Sequence, residues 1–174
     1  MNTPNFSDRL IYTVPAGTGE AGELLANREW RVCLEKGSHR VLLTSLNGEQ
    51  MWDGPVLESP WSPDEPPGPS TGVHGLKHQS RRRFLKDGWF YGRQTWAWGW
   101  VALSGLVEET AYGFRAERAA IRQVRLGPRA LAHFGSPNDV RDIVAELEDR
   151  YQCRVKIGYP EWRVSRTMFP VVPQ

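Results

Sequence analysis

Acidic, basic and imidazole side chains that could act on a ligand are concentrated in two stretches of the chain. In WGWVALSGLVEETAYGFRAERAAI, residues 98–121, two glutamates precede a Tyr-Gly-Phe-Arg turn. Upstream, His74 stands between Val73 and Gly75. An imidazole, a carboxylate and a guanidinium can move protons and orient a ligand when they converge on one point. The residues considered for such a pocket are His74, Glu108, Glu109, Tyr112, Arg115 and Glu117.

Glu108 and Glu109 are adjacent, which limits what they can do together. Successive side chains of a β-strand point to opposite faces, so the two carboxylates are poorly arranged as a catalytic pair. Depending on the register, a returning strand brings one of them near Arg115 or Glu117. One interpretation is a cross-strand ion pair at a strand end. The other is a ligand pocket lined by one glutamate and Arg115.

A second candidate surface is basic and aromatic. The segment KHQSRRRFLKDGWFYGRQ, residues 77–94, interleaves arginines with large rings. Phosphates attract cationic side chains and nucleobases stack on aromatic rings, so such a segment suits nucleic acid. It can equally be a solvated face or a contact for a protein partner. The candidate ligand-binding residues are Arg81, Arg82, Arg83, Trp89, Tyr91, Arg93 and Arg115.

The remaining residues do not indicate a metal or cofactor site. His74 and His78 are four residues apart, but the flanking glycines disfavour the helix on which that spacing serves zinc. The sequence contains neither a phosphate-binding glycine loop nor a metalloprotease helix. Cys33 and Cys153 are isolated and predict two reduced thiols. We therefore expect neither a metal nor a cofactor.

Alternating apolar residues predict the strands of the first half of the chain. Residues 29–46 predict a hairpin, and residues 10–14 a short strand. Residues 55–75 are rich in proline, which lacks an amide hydrogen and has a fixed φ, so they predict an extended surface loop. A short helix is expected over residues 81–87, capped by Ser80.

The candidate pocket residues depend on a long hairpin. Residues 96–107 are apolar on both faces, which predicts a central strand buried on two sides. Gly99 and Gly105 indicate close backbone approach or a bulge. The chain turns at residues 108–113, and residues 114–124 return as a strand. A helix is the alternative for this return, because alanine and arginine favour helix.

The clearest helix is SPNDVRDIVAELEDRYQ. Ser136 is a suitable N-cap and Pro137 suits the first helical position. An apolar stripe predicts a helix over residues 137–151, and residues 153–157 alternate as a strand. The residues after Gly158 contain Trp and Pro and are expected to lie over the body of the domain.

Length and composition predict one globular domain. The chain has 174 residues, of which 40% are hydrophobic and 24% charged. We expect an α+β fold with a bent, mostly antiparallel sheet, partly open and barrel-like, and one main helix. A formal charge of +2 does not by itself indicate nucleic acid. Neither a signal peptide nor a membrane segment is expected, which favours a cytoplasmic protein without membrane contact.

Three motifs together resemble a family of small bacterial proteins, mainly from actinobacteria. They are EWRV followed by LLTSL and a tryptophan, then GVHGLK, then WGWVALSGLVEETAYGFRAERAAI. The resemblance covers residues 28–125. In that family the middle motif carries an aromatic residue and an alanine where this chain has His74 and Gly75, and commonly a cysteine where it has Thr71. The resemblance implies a shared fold and no particular reaction.

Three functions are compatible with these features. The first is a non-enzymatic binding module that recognises nucleic acid or a base-like ligand through the basic and aromatic residues. The second is a protein-interaction or regulatory module that uses the proline-rich loop and exposed tryptophans. The third is a small enzyme with a pocket lined by His74, Glu108 and Arg115, which requires these three side chains to converge.

Overall fold

A computed structural model gives the architecture of the chain. It describes residues 9–17, 23–34, 40–46, 48–66, 68, 71–77, 96–111, 113–127 and 137–158. The elements in chain order are β1 (Leu10–Val14), β2 (Leu24–Leu34), β3 (Val41–Thr44), β4 (Met51–Trp52), β5 (Val56–Glu58), β6 (Val73–Leu76), β7 (Trp96–Glu109), β8 (Gly113–Leu126), α1 (Pro137–Tyr151) and β9 (Arg154–Ile157).

The nine described strands form one sheet. Its main path runs β1-β7-β8-β6-β2-β3-β4, with β5 and β9 paired to β8. Strand β2 also pairs with β7, so it contacts three neighbouring strands. All pairings are antiparallel except that of β9, which runs parallel to β8 after the helical crossover. The prediction of an α+β fold with a mostly antiparallel sheet is confirmed.

The long hairpin β7–β8 lies near the centre of this sheet. Residues 114–124 form a strand, so the helical alternative is wrong; the cross-strand partners of β7 determine this local structure. Gly99 lies close to the backbone of β8, and Gly105 adopts a φ of 79° at a register shift. The Glu117 carboxylate accepts the Leu106 amide hydrogen at 2.8 Å, which satisfies the backbone at this bulge.

Helix α1 packs on one face of the sheet. Leu147 and Tyr151 are fully buried in a core that contains Trp30, Trp52 and Val124. The Tyr151 hydroxyl accepts the Leu43 amide hydrogen and donates to the Trp52 carbonyl oxygen, each at 2.8 Å. The predicted apolar stripe therefore faces the sheet at its C-terminal end. The predicted cap Ser136 and the tail after Gly158 lie outside the described residues.

The interpretation of residues 55–75 as one surface loop is wrong at both ends. Strand β5 pairs with β8, and β6 lies between β8 and β2. Both strands are short runs without proline, so their amides remain available to the sheet. Between them, Trp61 is only 7% exposed and its Nε1 donates to the Leu106 carbonyl oxygen at 3.2 Å. The segment therefore covers part of the sheet.

No helix within the described ranges is long and apolar enough to cross a membrane.

Candidate functional site

Three of the candidate pocket residues are direct neighbours across three strands. Arg115 on β8 lies opposite His74 on β6 and opposite Glu108 on β7. Cross-strand partners project from the same side of a sheet, so the three side chains form one row. Arg115 Nη1 lies 3.4 Å from Glu108 Oε2, and each side chain is only 2% exposed. We call His74, Glu108 and Arg115 the Arg115 cluster.

The segment between β5 and β6 covers this cluster. The Arg115 guanidinium lies 4.3 Å from the ring centroid of Trp61, at cation–π distance. Its Nε donates to the Thr71 carbonyl oxygen and its Nη1 to the Glu65 carbonyl oxygen, each at 3.0 Å. Arg115 is therefore buried, 2% exposed, and its assignment as a ligand-binding residue stays a prediction. The residue is buried because Trp61 and its neighbours fold back over β8.

The segment between β5 and β6 also contacts the His74 side chain. Its Nε2 lies 3.0 Å from the Gly68 carbonyl oxygen. Burial lowers the pKa of His74 below its ordinary value, and the nearby Arg28 and Arg115 charges lower it further. A neutral ring bonded to a carbonyl must carry its proton on Nε2, because a carbonyl oxygen only accepts. The imidazole is thus a neutral donor at neutral pH.

The other glutamates of the predicted pocket lie elsewhere. The Glu109 carboxylate accepts from the Tyr12 hydroxyl at 2.9 Å and pairs with Lys77 Nζ at 2.5 Å. Burial raises the pKa of Tyr12, and the adjacent Glu109 carboxylate raises it further. The Glu117 carboxylate accepts the Leu106 amide hydrogen at the β7 bulge. The cross-strand ion pair is confirmed for Glu108, and Tyr112 lies outside the described residues.

A second buried cation, Arg28, lies beside the Arg115 cluster and was not predicted from the sequence. Arg28 is 8% exposed, and its guanidinium donates to the His74 carbonyl oxygen and, at 3.2 Å, to Gln50 Oε1. Burial lowers the pKa of Arg28 to about 10. The Gln50 amide nitrogen donates in turn to the Gly72 carbonyl oxygen at 3.0 Å. The available signal was alternation, because Arg28 has the same parity as the core residue Trp30.

A second arrangement of basic residues lies where β7, β8 and β9 run side by side. Trp98 lies opposite Arg125, and Arg125 opposite Lys156. One row further along, Trp100 lies opposite Gln123, and Gln123 opposite Arg154. These two rows belong to the same side of the sheet. The tryptophan face consists of Trp98, Trp100, Gln123, Arg125, Arg154 and Lys156.

The tryptophan face is directed away from helix α1. Its residues alternate with Ala97, Val124 and Val155, which belong to the buried core under the helix. Arg154 is exposed and Trp100 is half-buried, whereas Trp98 is 3% exposed. Residues 96–107 were predicted to be a strand that is apolar on both faces. The basic neighbours of Trp98 and Trp100 were not predicted, because the parallel register of β9 depends on the helical crossover.

The basic and aromatic segment begins and ends beside the same strand. Leu76, at the end of β6, lies opposite Asn27 of β2. Trp96, at the start of β7, lies opposite Arg31 of β2. Both attachment points are thus within four residues of each other on β2. The candidate residues between them lie outside the described residues: Arg81, Arg82, Arg83, Trp89, Tyr91 and Arg93, as does the helix expected over 81–87.

Within the described ranges, no three His, Cys, Asp or Glu side chains are grouped as metal ligands. Comparisons with protein-family models, curated proteins and solved structures returned no match to this chain. The resemblance of residues 28–125 to a bacterial family therefore stays a prediction.

Proposed function

We propose that the protein is a non-enzymatic binding module that recognises nucleic acid or a base-like ligand. The proposed contact surface is the tryptophan face, and the proposed contacts further include the basic and aromatic residues Arg81, Arg82, Arg83, Trp89, Tyr91 and Arg93, which lie outside the described residues. The observation that carries the proposal is the cross-strand register, in which half-buried Trp100 lies on the same side of the sheet as Arg125, Lys156 and exposed Arg154. Aromatic rings flanked by cations suit bases flanked by phosphates.

A single strand is the form of nucleic acid that this surface suits best. Bases of a single strand are free to stack on a ring such as half-buried Trp100, whereas bases in a duplex are already stacked. Arginine and lysine beside the ring can neutralise the phosphates that flank each base.

The two alternative functions receive less support from the described residues. The enzyme hypothesis requires the Arg115 cluster to bind a ligand, yet Glu108 and Arg115 neutralise each other beneath Trp61. The interaction-module hypothesis uses the proline-rich loop and exposed tryptophans, yet Trp61 within residues 55–75 is buried against the sheet. The binding-module hypothesis rests on Trp100 and Arg154, which are half-buried and exposed.

Fluorescence anisotropy of a labelled single-stranded DNA tests the proposal. An oligonucleotide of about 12 nucleotides is titrated at about 50 mM salt, where phosphate contacts still hold. We expect Trp100→Ala to weaken binding about tenfold, because stacking contributes about 1–3 kcal/mol per base. Met51→Ala is the control, since it removes a 52% exposed apolar side chain on β4.

Replacement of Arg81, Arg82 and Arg83 by Ala tests the adjoining segment. We expect the affinity to fall and the slope of log affinity against log salt to decrease by about 1 for each phosphate that the variant no longer neutralises. Absence of binding by the unmodified protein at about 50 mM salt would exclude nucleic acid as the ligand. Equal losses of affinity in Trp100→Ala and Met51→Ala would exclude the tryptophan face as the contact surface.

A further inference from the structure

A cavity of about 180 Å³ opens on the sheet beyond Trp100. Ala102 on β7 lies opposite Ala120 on β8, and Ala120 lies opposite Val56 on β5. These short side chains line the cavity and leave room that larger residues would fill.

The next row of the sheet brings two hydrogen-bond donors into the cavity lining. Ser104 on β7 lies opposite Arg118 on β8, and both line the cavity. Ser104 is 7% exposed and belongs to the cavity lining. The Arg118 guanidinium lies 3.6 Å from the Glu58 carboxylate, and these side chains are 44% and 70% exposed. Exposed pairs of this kind stabilise a protein little, so an incoming anion competes readily for Arg118.

A second arginine of the lining is held by a carboxylate. The Arg122 Nε donates to Glu23 Oε2 at 2.8 Å, and its Nη2 donates to Glu23 Oε1. This pairing raises the pKa of Arg122. Both carboxylate oxygens of Glu23 are thereby occupied, whereas Arg118 pairs with the exposed Glu58 carboxylate, which is not part of the cavity lining.

We infer that this cavity is a phosphate-binding site, in which the Arg118 guanidinium and the Ser104 hydroxyl donate to the phosphoryl oxygens. A guanidinium presents a fork of donors that matches phosphate geometry, and a hydroxyl adds a further donor. The phosphate belongs either to the end of a nucleic acid strand or to a small phosphorylated molecule. The first of these sources rests on the proposed function. The cavity adjoins the tryptophan face because Ala102 is two residues from Trp100 on the same side of β7.

Titration with inorganic phosphate tests the site without nucleic acid. The amide resonances of Ser104 and Ala120 are followed by NMR, with sodium chloride at matched ionic strength as the reference. We expect Arg118→Gln to weaken phosphate binding about tenfold or more, which corresponds to about 1.4 kcal/mol. Arg141→Gln, which removes an exposed arginine of α1, is the matched control and should leave binding unchanged.

A cavity-filling variant tests the space rather than the charge. Ala102→Leu should abolish phosphate binding without removing a charge, with circular dichroism confirming that the variant folds. Equal phosphate responses in Arg118→Gln and Arg141→Gln would overturn the inference. An unchanged response in folded Ala102→Leu would overturn it too.

Oligonucleotides with and without a 5′ phosphate separate the two sources of the phosphate. Tighter binding of the phosphorylated strand, abolished in Arg118→Gln but not in Arg141→Gln, would assign the site to a strand end. Binding of inorganic phosphate with equal oligonucleotide affinities would assign it to a small phosphorylated molecule. Failure of the proposed function is distinguishable, because then neither oligonucleotide binds although inorganic phosphate does.

Discussion

Strand β8 carries two arginines, Arg115 and Arg125, that lie in opposite kinds of surroundings. The cross-strand partner of Arg115 on β7 is the buried carboxylate of Glu108, and Trp61 covers the pair. The corresponding partner of Arg125 is Trp98, and on its other side lies Lys156. One arginine therefore lies opposite a carboxylate, and the other lies between a tryptophan and a lysine. The residue type is the same, and the neighbouring strands determine the role.

This comparison shows why catalytic residue types are weak guides in a sheet. His74, Glu108 and Arg115 have the chemistry of an active site and do converge. Arg115 Nε and Nη1, Glu108 and His74 Nε2 nevertheless have partners within the protein, as is usual for buried polar groups. Such a row fixes the register of three strands and anchors the covering segment. A binding surface instead requires donors that a ligand can reach, which the tryptophan face offers at Arg154.

The largest effect on stability is expected from removing a charge from the Arg115 cluster. Glu108→Gln removes the buried carboxylate of the Arg115 guanidinium, which is 2% exposed, and leaves the 51% exposed Glu65 carboxylate at 3.9 Å. Removing one partner of a buried pair costs about 3–5 kcal/mol in the free energy of unfolding. Urea denaturation measures this loss. The control is Glu58→Gln, whose 70% exposed side chain pairs with Arg118 and should change stability by no more than about 1 kcal/mol. Equal losses in the two variants would contradict a buried ion pair.

A smaller effect is expected from the backbone that covers the row. Gly72 has a φ of +75°, and a Cβ there would lie 2.7 Å from Arg115 Cγ and 3.1 Å from Trp61 Cδ1. Gly72→Ala should cost about 1–3 kcal/mol in unfolding free energy, because L residues are strained at this φ.

Gly54→Ala is the matched control for Gly72→Ala. Gly54 has nothing within 4 Å of an added Cβ and no positive φ, so its replacement should leave stability unchanged or slightly higher. Chemical denaturation of both variants makes the comparison. A neutral Gly72→Ala would mean that the covering segment does not pack on Arg115.

A pH-dependent effect is expected at the third member of the row. Because burial lowers the pKa of His74 from 6.5, the unfolded chain binds a proton on this ring more readily than the folded one. Stability that is present above about pH 6.5 is therefore lost as the pH falls towards the folded pKa. His74→Gln should remove this part of the dependence. Unfolding midpoints of both proteins between about pH 7.5 and 5.5 measure it. Parallel curves would exclude a buried neutral imidazole.

Local patterns predicted the frame of the molecule. The strand β7, its return β8 and helix α1 each have a periodicity, a turn residue or a cap that acts over neighbouring residues. The hairpin of β2 and β3 was predicted for the same reason, and its register pairs Arg31 with Thr44. Such signals are local, so they do not depend on the arrangement of the rest of the chain.

The features that could not be predicted from the sequence depend on pairing between residues distant in the chain. Strand β6 has four residues, and its position between β8 and β2 depends on partners distant in sequence. Arg115 is buried because Trp61 folds over it, and no pattern near Arg115 indicates that contact. The tryptophan face depends on β9 entering parallel to β8. The sequence left open which glutamate lies near Arg115, because that choice depends on the register of β7 and β8.

The smallest effect on stability is expected at Arg154 of the tryptophan face, where a clear effect on binding is expected as well. Arg154 is exposed, so Arg154→Gln should change the free energy of unfolding by no more than about 0.5 kcal/mol. If a phosphate lies beside it, the same change should weaken binding of single-stranded DNA and reduce the salt slope by about 1. Arg141→Gln provides the control for removal of one exposed charge. A salt slope that falls equally in both variants would attribute binding to net charge and remove the distinction between the two arginine environments.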